Sequence, residues 1–294
     1  MLTYLQSIVM GLLQGISELF PVSSLGHSVL FPTLFGWTNL EQAQFNKESF
    51  FLAFLVGLHV ATATALIIYY RTEWARIVVG FFTSIKNRKV STADERLAWL
   101  LIVATIPAGL TGLLFEHMFR TLFAKPLVAA FFIIMNGLIL FLAERLRQTP
   151  RSSERSEFSL AATTQNLRIM RYRDAGLIGL SQVLALFAGI SRSGITMVGG
   201  LLRGLDHEDA ARFSFLLATP IILAAGVYKI PDLLGPNGNG VRGQILVGSV
   251  VAGVAAYFSV RFLDRYFRNR KLTPFAVYCV VFGVIMVVRL TVFP

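Results

Sequence analysis

Six unbroken apolar stretches of this chain run for 16 to 22 residues without a single Asp, Glu, Lys or Arg: 49–70, 97–115, 126–143, 213–228, 243–260 and 272–288. At about 1.5 Å per residue, helices of these lengths reach roughly 24 to 33 Å, which matches the hydrocarbon core of a bilayer. They predict six membrane crossings and an all-α, polytopic integral membrane protein. Composition agrees: only 15% of the 294 residues are charged, against about a quarter in soluble domains, and mean hydropathy is +0.65. The net charge of +11 would suit nucleic acid if it rode on a polar domain. Here the basic residues sit in the gaps between apolar runs, as in loops facing an anionic membrane surface, so nucleic-acid binding is excluded. The single cysteine, Cys279, lies among Tyr278, Val280 and Val281 and is expected to pack; one cysteine forms no intrachain disulfide.

Two further apolar regions are broken. Met1–Trp37 is interrupted around Pro21, Ser23, Ser24 and Gly26, and Gly176–Leu202 around Gly189 to Gly194. Irregular backbone at membrane depth persists only where protein buries it or where it lines a wet cavity, so each region is expected to be a re-entrant helix pair at a site. The first basic residue is Lys47, which argues against a removable leader. The loops 71–96, 144–174 and 261–271 are rich in Arg and Lys and belong on the cytoplasmic side, whereas 116–125 and 229–242 hold two basic residues apiece. Both termini then fall outside if the re-entrant pairs return to their own side.

The polar segment 144–174 divides the chain into a first repeat, 1–143, and a second, 175–294. Each has one broken pair followed by three crossings, and an odd number of crossings gives the halves opposite polarity, an inverted repeat. Gln14 precedes Ser23 by nine residues, as Gln182 precedes Ser191, and on that register Val22/Ile190, Ser23/Ser191 and Gly26/Gly194 agree. The two breaks are expected to face each other near the middle of the membrane.

The breaks carry the chemistry. Glu18 stands in an apolar run one helical turn after Gln14, and a charged side chain near a bilayer centre costs roughly 2.5 to 3.5 kcal/mol, so it is expected to have a functional partner; a surface capping acid is the plainer alternative. Pro21 stops the incoming helix, Ser23 or Ser24 caps the outgoing one, and its first amides point into the break. His27 follows Ser24 by three residues, the spacing at which an imidazole could serve a nucleophilic hydroxyl; capping serines beside a packed histidine would look the same. In the second half, Arg192 is the only charge between Asp174 and Arg203. Its fork of donors, the hydroxyls of Ser191, Ser193 and Thr196, and the close approach allowed by Gly189 and Gly194 read as a phosphate cradle. An Arg192–Glu18 ion pair holding the halves together is compatible with that in the empty state. His59 either faces the same cavity or packs in the core, and His117 and His207 receive no role.

Gln14, Glu18 and the run Pro21-Val22-Ser23-Ser24-Leu25-Gly26-His27, together with Gly189-Ile190-Ser191-Arg192-Ser193-Gly194-Ile195-Thr196, closely resemble the two motifs of the bacterial undecaprenyl-diphosphate phosphatase, or bacitracin-resistance, family. Ala188 stands where that family usually has Pro. The resemblance implies a cytoplasmic-membrane hydrolase of a polyprenyl diphosphate lipid, recycling the carrier for cell-wall synthesis, with a pocket opening to the extracytoplasmic side. It implies Glu18, Ser24, His27 and Arg192 as catalytic residues and Gln14, Ser23, Gly189, Ser191, Ser193, Gly194 and Thr196 as substrate-binding ones. It further implies a divalent cation, Mg2+ or Ca2+, at Glu18 with Gln14. Ser24 is the expected nucleophile, with His27 activating it and a directly activated water as second choice; membrane lipids surround the protein, and a homodimer is compatible. The rival reading is a transporter or flippase of a phosphate-bearing lipid or anion.

Overall fold

The computed structural model describes residues 2–45, 50–123, 125–147, 170–235 and 240–292. Among the described residues every regular element is helical: α1 (Tyr4–Ser17), α2 (Ser24–Leu34), α3 (Thr38–Phe45), α4 (Phe50–Tyr69), α5 (Arg71–Asn87), α6 (Ala93–Phe123), α7 (Pro126–Leu146), α8 (Tyr172–Ser181), a short 3-10 helix (Gln182–Leu186), α9 (Arg192–Leu202), α10 (His207–Leu234), α11 (Arg242–Tyr266) and α12 (Thr273–Val292). Of the 144–174 segment, 148–169 lies outside the described residues, while α7 and α8 each reach a few residues into it.

Five helical segments are long and apolar enough to cross a bilayer: Ala93–Phe115, Pro126–Leu146, His207–Tyr228, Arg242–Tyr266 and Thr273–Val292. The bent pair formed by Ala53–Tyr69 and Arg71–Asn87 makes up to six. These coincide with the six uncharged stretches, and Phe115, whose φ of −117° breaks the helical backbone of α6, falls where the second stretch ends. On α11, Leu246, Val250, Val254, Phe258 and Phe262 recur every fourth residue and are 52 to 66% exposed. An apolar stripe of that length on a helix long enough to span a bilayer suits lipid rather than water. The chain is a multi-pass membrane protein.

One expectation needs correction. The region 71–96 reads as a loop by its charges, yet α5 is a helix turned 89° from α4. Its buried residues Glu73, Ile77, Gly80 and Ser84 follow helical spacing, and Gly80 lets the backbone of Glu95 on α6 approach to where a methyl group would meet it at 2.9 Å. A window scored for uncharged length misses an amphipathic helix of this kind.

The broken regions are short helices. α1 and α2, with 14 and 11 residues, reach about 21 and 16 Å, and neither crosses the core alone. α1 opens with a capping box between Thr3 and Gln6 and lies against α11. Small residues make that contact close: a methyl group at Gly11 would sit 2.4 Å from the Gly248 carbonyl oxygen. α8 meets α6 in the same manner, with a methyl at Gly179 falling 2.3 Å from the Ala104 carbonyl oxygen. Gly11 and Gly179 are equivalent in the register that pairs Gln14 with Gln182. α7 and α12 pack reciprocally as well, Gly137 on the Ala276 carbonyl and Gly283 on that of Ala130. Without a hydrophobic drive between helices in lipid, such close small-residue packing supplies much of their association.

Candidate active site

Glu18 caps the C-terminal end of α1 and is 6% exposed. Its Oε2 accepts hydrogen bonds from Gln14 Nε2 at 2.9 Å and from Ser24 Oγ at 2.5 Å, and lies 3.3 Å from His59 Nε2. Its Oε1 accepts from the Arg192 guanidinium at 3.1 Å. A residue of the first break and one of the second, 174 positions apart, therefore share one ion pair inside the protein. A buried carboxylate holds its charge only with such partners. Arg192 remains 15% accessible and His59 26%, so the pair is not sealed.

The loops that carry these groups cross at two glycines and a serine. Ser23 is the N-cap of α2, and its hydroxyl accepts from the Gly26 amide at 3.2 Å. It also accepts from the Gly189 amide of the other break at 3.2 Å. Ser23 adopts a φ of +76°, a conformation costing a β-carbon residue roughly 1 to 3 kcal/mol, which the double hydrogen bond offsets. Gly189 has a φ of +114°, and a methyl group there would meet the Ala129 carbonyl oxygen at 2.5 Å; one at Gly26 would lie 2.9 Å from Gly189 Cα. Ser191 caps α9 as Ser23 caps α2, accepting from the Gly194 amide at 3.1 Å.

Asn136, on α7, ties the breaks together. Its Nδ2 donates to the Pro21 carbonyl and its Oδ1 accepts from the Ser191 amide, both at 2.9 Å. It is the only Asn or Gln in the stretch 126–143, and a lone amide in an apolar span is the signal that would have found it.

The spacing argument from Ser24 to His27 does not survive. His27 Nδ1 bonds the Ser23 carbonyl at 2.7 Å and Nε2 bonds the Tyr278 hydroxyl at 2.8 Å, while its ring stacks on Phe282 with centroids 4.8 Å apart. A three-residue helical step places two Cβ atoms on one face; here the aromatics of α12 decide where the ring points, and Ser24 turns to Glu18 instead. His59 is the imidazole that reaches Glu18, with Nδ1 held by the Leu55 carbonyl at 2.7 Å. Of the cradle hydroxyls, Ser193 donates to the Phe20 carbonyl at 3.2 Å and lies 3.0 Å from Ser191 Oγ, and Thr196 donates to the Arg192 carbonyl at 2.7 Å. Ser193 and Thr196 are fully buried, so their hydroxyls brace the break in this state. Gln182 holds the Ala104 carbonyl at 2.9 Å, away from the ion pair, although it is the counterpart of Gln14.

One atom in this cluster lacks a partner: Gln14 Oε1 is buried with none among the described residues. It lies on the side chain whose amide nitrogen already bonds Glu18. Among the described residues there is no group of three or more His, Cys, Asp or Glu able to hold a metal. Carboxylate and amide oxygens suit a hard cation that takes its remaining ligands from substrate phosphate and water.

Comparison with known proteins identifies the family. Residues 7–285 match the family model of the bacitracin resistance protein BacA. Undecaprenyl-diphosphatase 2 of Frankia alni is 52% identical over 99% of both chains. The undecaprenyl-diphosphatase of Mycolicibacterium paratuberculosis is 53% identical over 96% of this chain and 95% of its own, and that of Acidiphilium cryptum is 44% identical over 98% of each. With both breaks inside the matched region and the similarity running end to end, the chain belongs to the BacA bacitracin resistance family.

Proposed function

We propose that the paired breaks form a phosphoryl-transfer site at which this chain hydrolyses undecaprenyl diphosphate to undecaprenyl phosphate and inorganic phosphate. The observation that carries the reading is the Glu18 carboxylate, bonded at once to the Ser24 hydroxyl and the Arg192 guanidinium within a membrane-embedded fold. Arg192 exchanges its carboxylate for the terminal phosphate and neutralises the charge that grows on it. Ser24 Oγ attacks the terminal phosphorus as its proton passes to Glu18 Oε2; the bond from phosphorus to the bridging oxygen breaks, and undecaprenyl phosphate leaves. Water then cleaves the phosphoserine, releasing inorganic phosphate and restoring the hydroxyl. Most of the acceleration comes from positioning and charge stabilisation. His27 keeps Ser23 in place through the Ser23 carbonyl, and so serves the nucleophile from behind.

A diphosphate brings more negative charge than Arg192 alone offsets beside Glu18. Glu18 and the unpartnered Oε1 of Gln14 suit a divalent cation, Mg2+ or Ca2+, which would screen the diphosphate as a Lewis acid. The enzyme acts in the bacterial cytoplasmic membrane, with its halves as an inverted repeat and its pocket open to the extracytoplasmic side. The basic loops support that orientation, the matched contacts of α1 with α11 and α8 with α6 support the repeat, and a homodimer is compatible with both.

Purified protein in detergent, given undecaprenyl diphosphate and a divalent cation, is expected to release inorganic phosphate with no second compartment present. A transporter or flippase would bind the lipid and release none.

A further inference from the structure

At the C-terminal end of α11 the lipid-facing stripe turns cationic. Phe258 and Phe262 are followed one turn on by Arg261 and Arg265, and these four side chains, with Arg270 beyond the helix, border an open cavity of about 500 Å3. Among the described residues no carboxylate lines it. The neighbouring Arg268 is different: it pairs with Glu208 and with Asp264, both at 3.4 Å. Arg261, Arg265 and Arg270 form no ion pair among the described residues. Three permanently charged guanidiniums around one cavity repel one another unless an anion enters. Phe258 and Phe262, 60 and 52% exposed on the lipid face, form an apolar wall continuous with the bilayer. A ligand matching this surface carries phosphate at one end and acyl chain at the other.

We propose that this cavity binds the headgroup of an anionic phospholipid from the surrounding leaflet, the phosphate held by Arg261, Arg265 and Arg270 and the chains laid along Phe258 and Phe262. The site is separate from the Glu18–Arg192 pair but touches the same loop. Phe262 stacks on Phe20 with centroids 5.9 Å apart and planes 2° from parallel, and the Phe20 carbonyl accepts from Ser193. The bound lipid therefore braces the first break from outside.

Native mass spectrometry of the full-length protein, released from bilayers of equal parts phosphatidylglycerol and phosphatidylcholine, tests the proposal. Wild type is expected to retain phosphatidylglycerol roughly tenfold over phosphatidylcholine. The triple variant Arg261→Gln, Arg265→Gln, Arg270→Gln should lose that preference, and Lys86→Gln, Arg88→Gln, Lys89→Gln, which removes as much charge elsewhere, should keep it. Equal retention of the two lipids by wild type overturns the proposal without reference to any variant. So does equal loss in both triple variants, or displacement of phosphatidylglycerol by millimolar inorganic phosphate, which would mark a plain anion site.

Discussion

Glu18 gathers four neighbours, Gln14, Ser24, His59 and Arg192, and each makes a different demand on it. Ser24→Ala removes the attacking oxygen and leaves the ion pair intact, so turnover should fall by about 10³-fold while substrate still binds; lipid binding and phosphate release measured on one preparation check this. Arg192→Lys keeps the charge and loses the planar fork, and is expected to recover little of the activity of wild type. Single-turnover phosphate release should place it within about tenfold of Arg192→Ala. Glu18 and Arg192 were legible because a charge alone in an apolar run must be paired or used. The choice between a His27 that serves Ser24 and a packed His27 could not be made from spacing, because helical spacing fixes backbones only. Tyr278, 251 residues from His27, decides that ring's direction, and no local pattern announces it.

At the level of elements, the site depends on how closely two helix breaks pass. Gly189→Ala forces a left-handed residue and a 2.5 Å contact with the Ala129 carbonyl, and should cost about 2 kcal/mol or more. Gly109 on α6 meets nothing within 4 Å, so Gly109→Ala should be neutral or stabilise slightly. Thermal unfolding in detergent separates the two. Asn136→Ala orphans the Ser191 amide and leaves the Pro21 carbonyl only the weak Cys279 thiol, and an expected loss of about 2 to 4 kcal/mol should appear in the same assay. Both breaks could be found from Pro, Gly and Ser interrupting apolar runs. α5 could not be found from hydropathy, since its Glu73 and Arg76 hide a face that packs on α6. Glu73 is there to hold Arg212 of α10, with a closest contact of 2.8 Å, a partner only the folded chain reveals.

Across the whole molecule, the two halves supply one group each to an ion pair that neither could form alone. The proposed orientation rests on the basic loops and predicts that cysteines placed at Arg88 and Arg268 react with an impermeant maleimide only from the cytoplasmic face, while Cys279, fully buried, stays silent. Labelling from the outer face would reverse the orientation and with it the side on which phosphate is released. The crossings were legible because lipid admits so few backbone solutions; the contacts between halves were not, because α1 meets α11 across most of the chain and α8 meets α6 across about a quarter of it, through small residues that no local pattern marks. The most direct test compares phosphate release from undecaprenyl diphosphate by detergent-solubilised wild type and by Arg192→Gln, with thermal unfolding confirming that both are folded. Release by wild type and a loss of about 10³-fold in the variant is the predicted result; comparable release by a folded Arg192→Gln protein would contradict a phosphoryl-transfer site built from the two breaks.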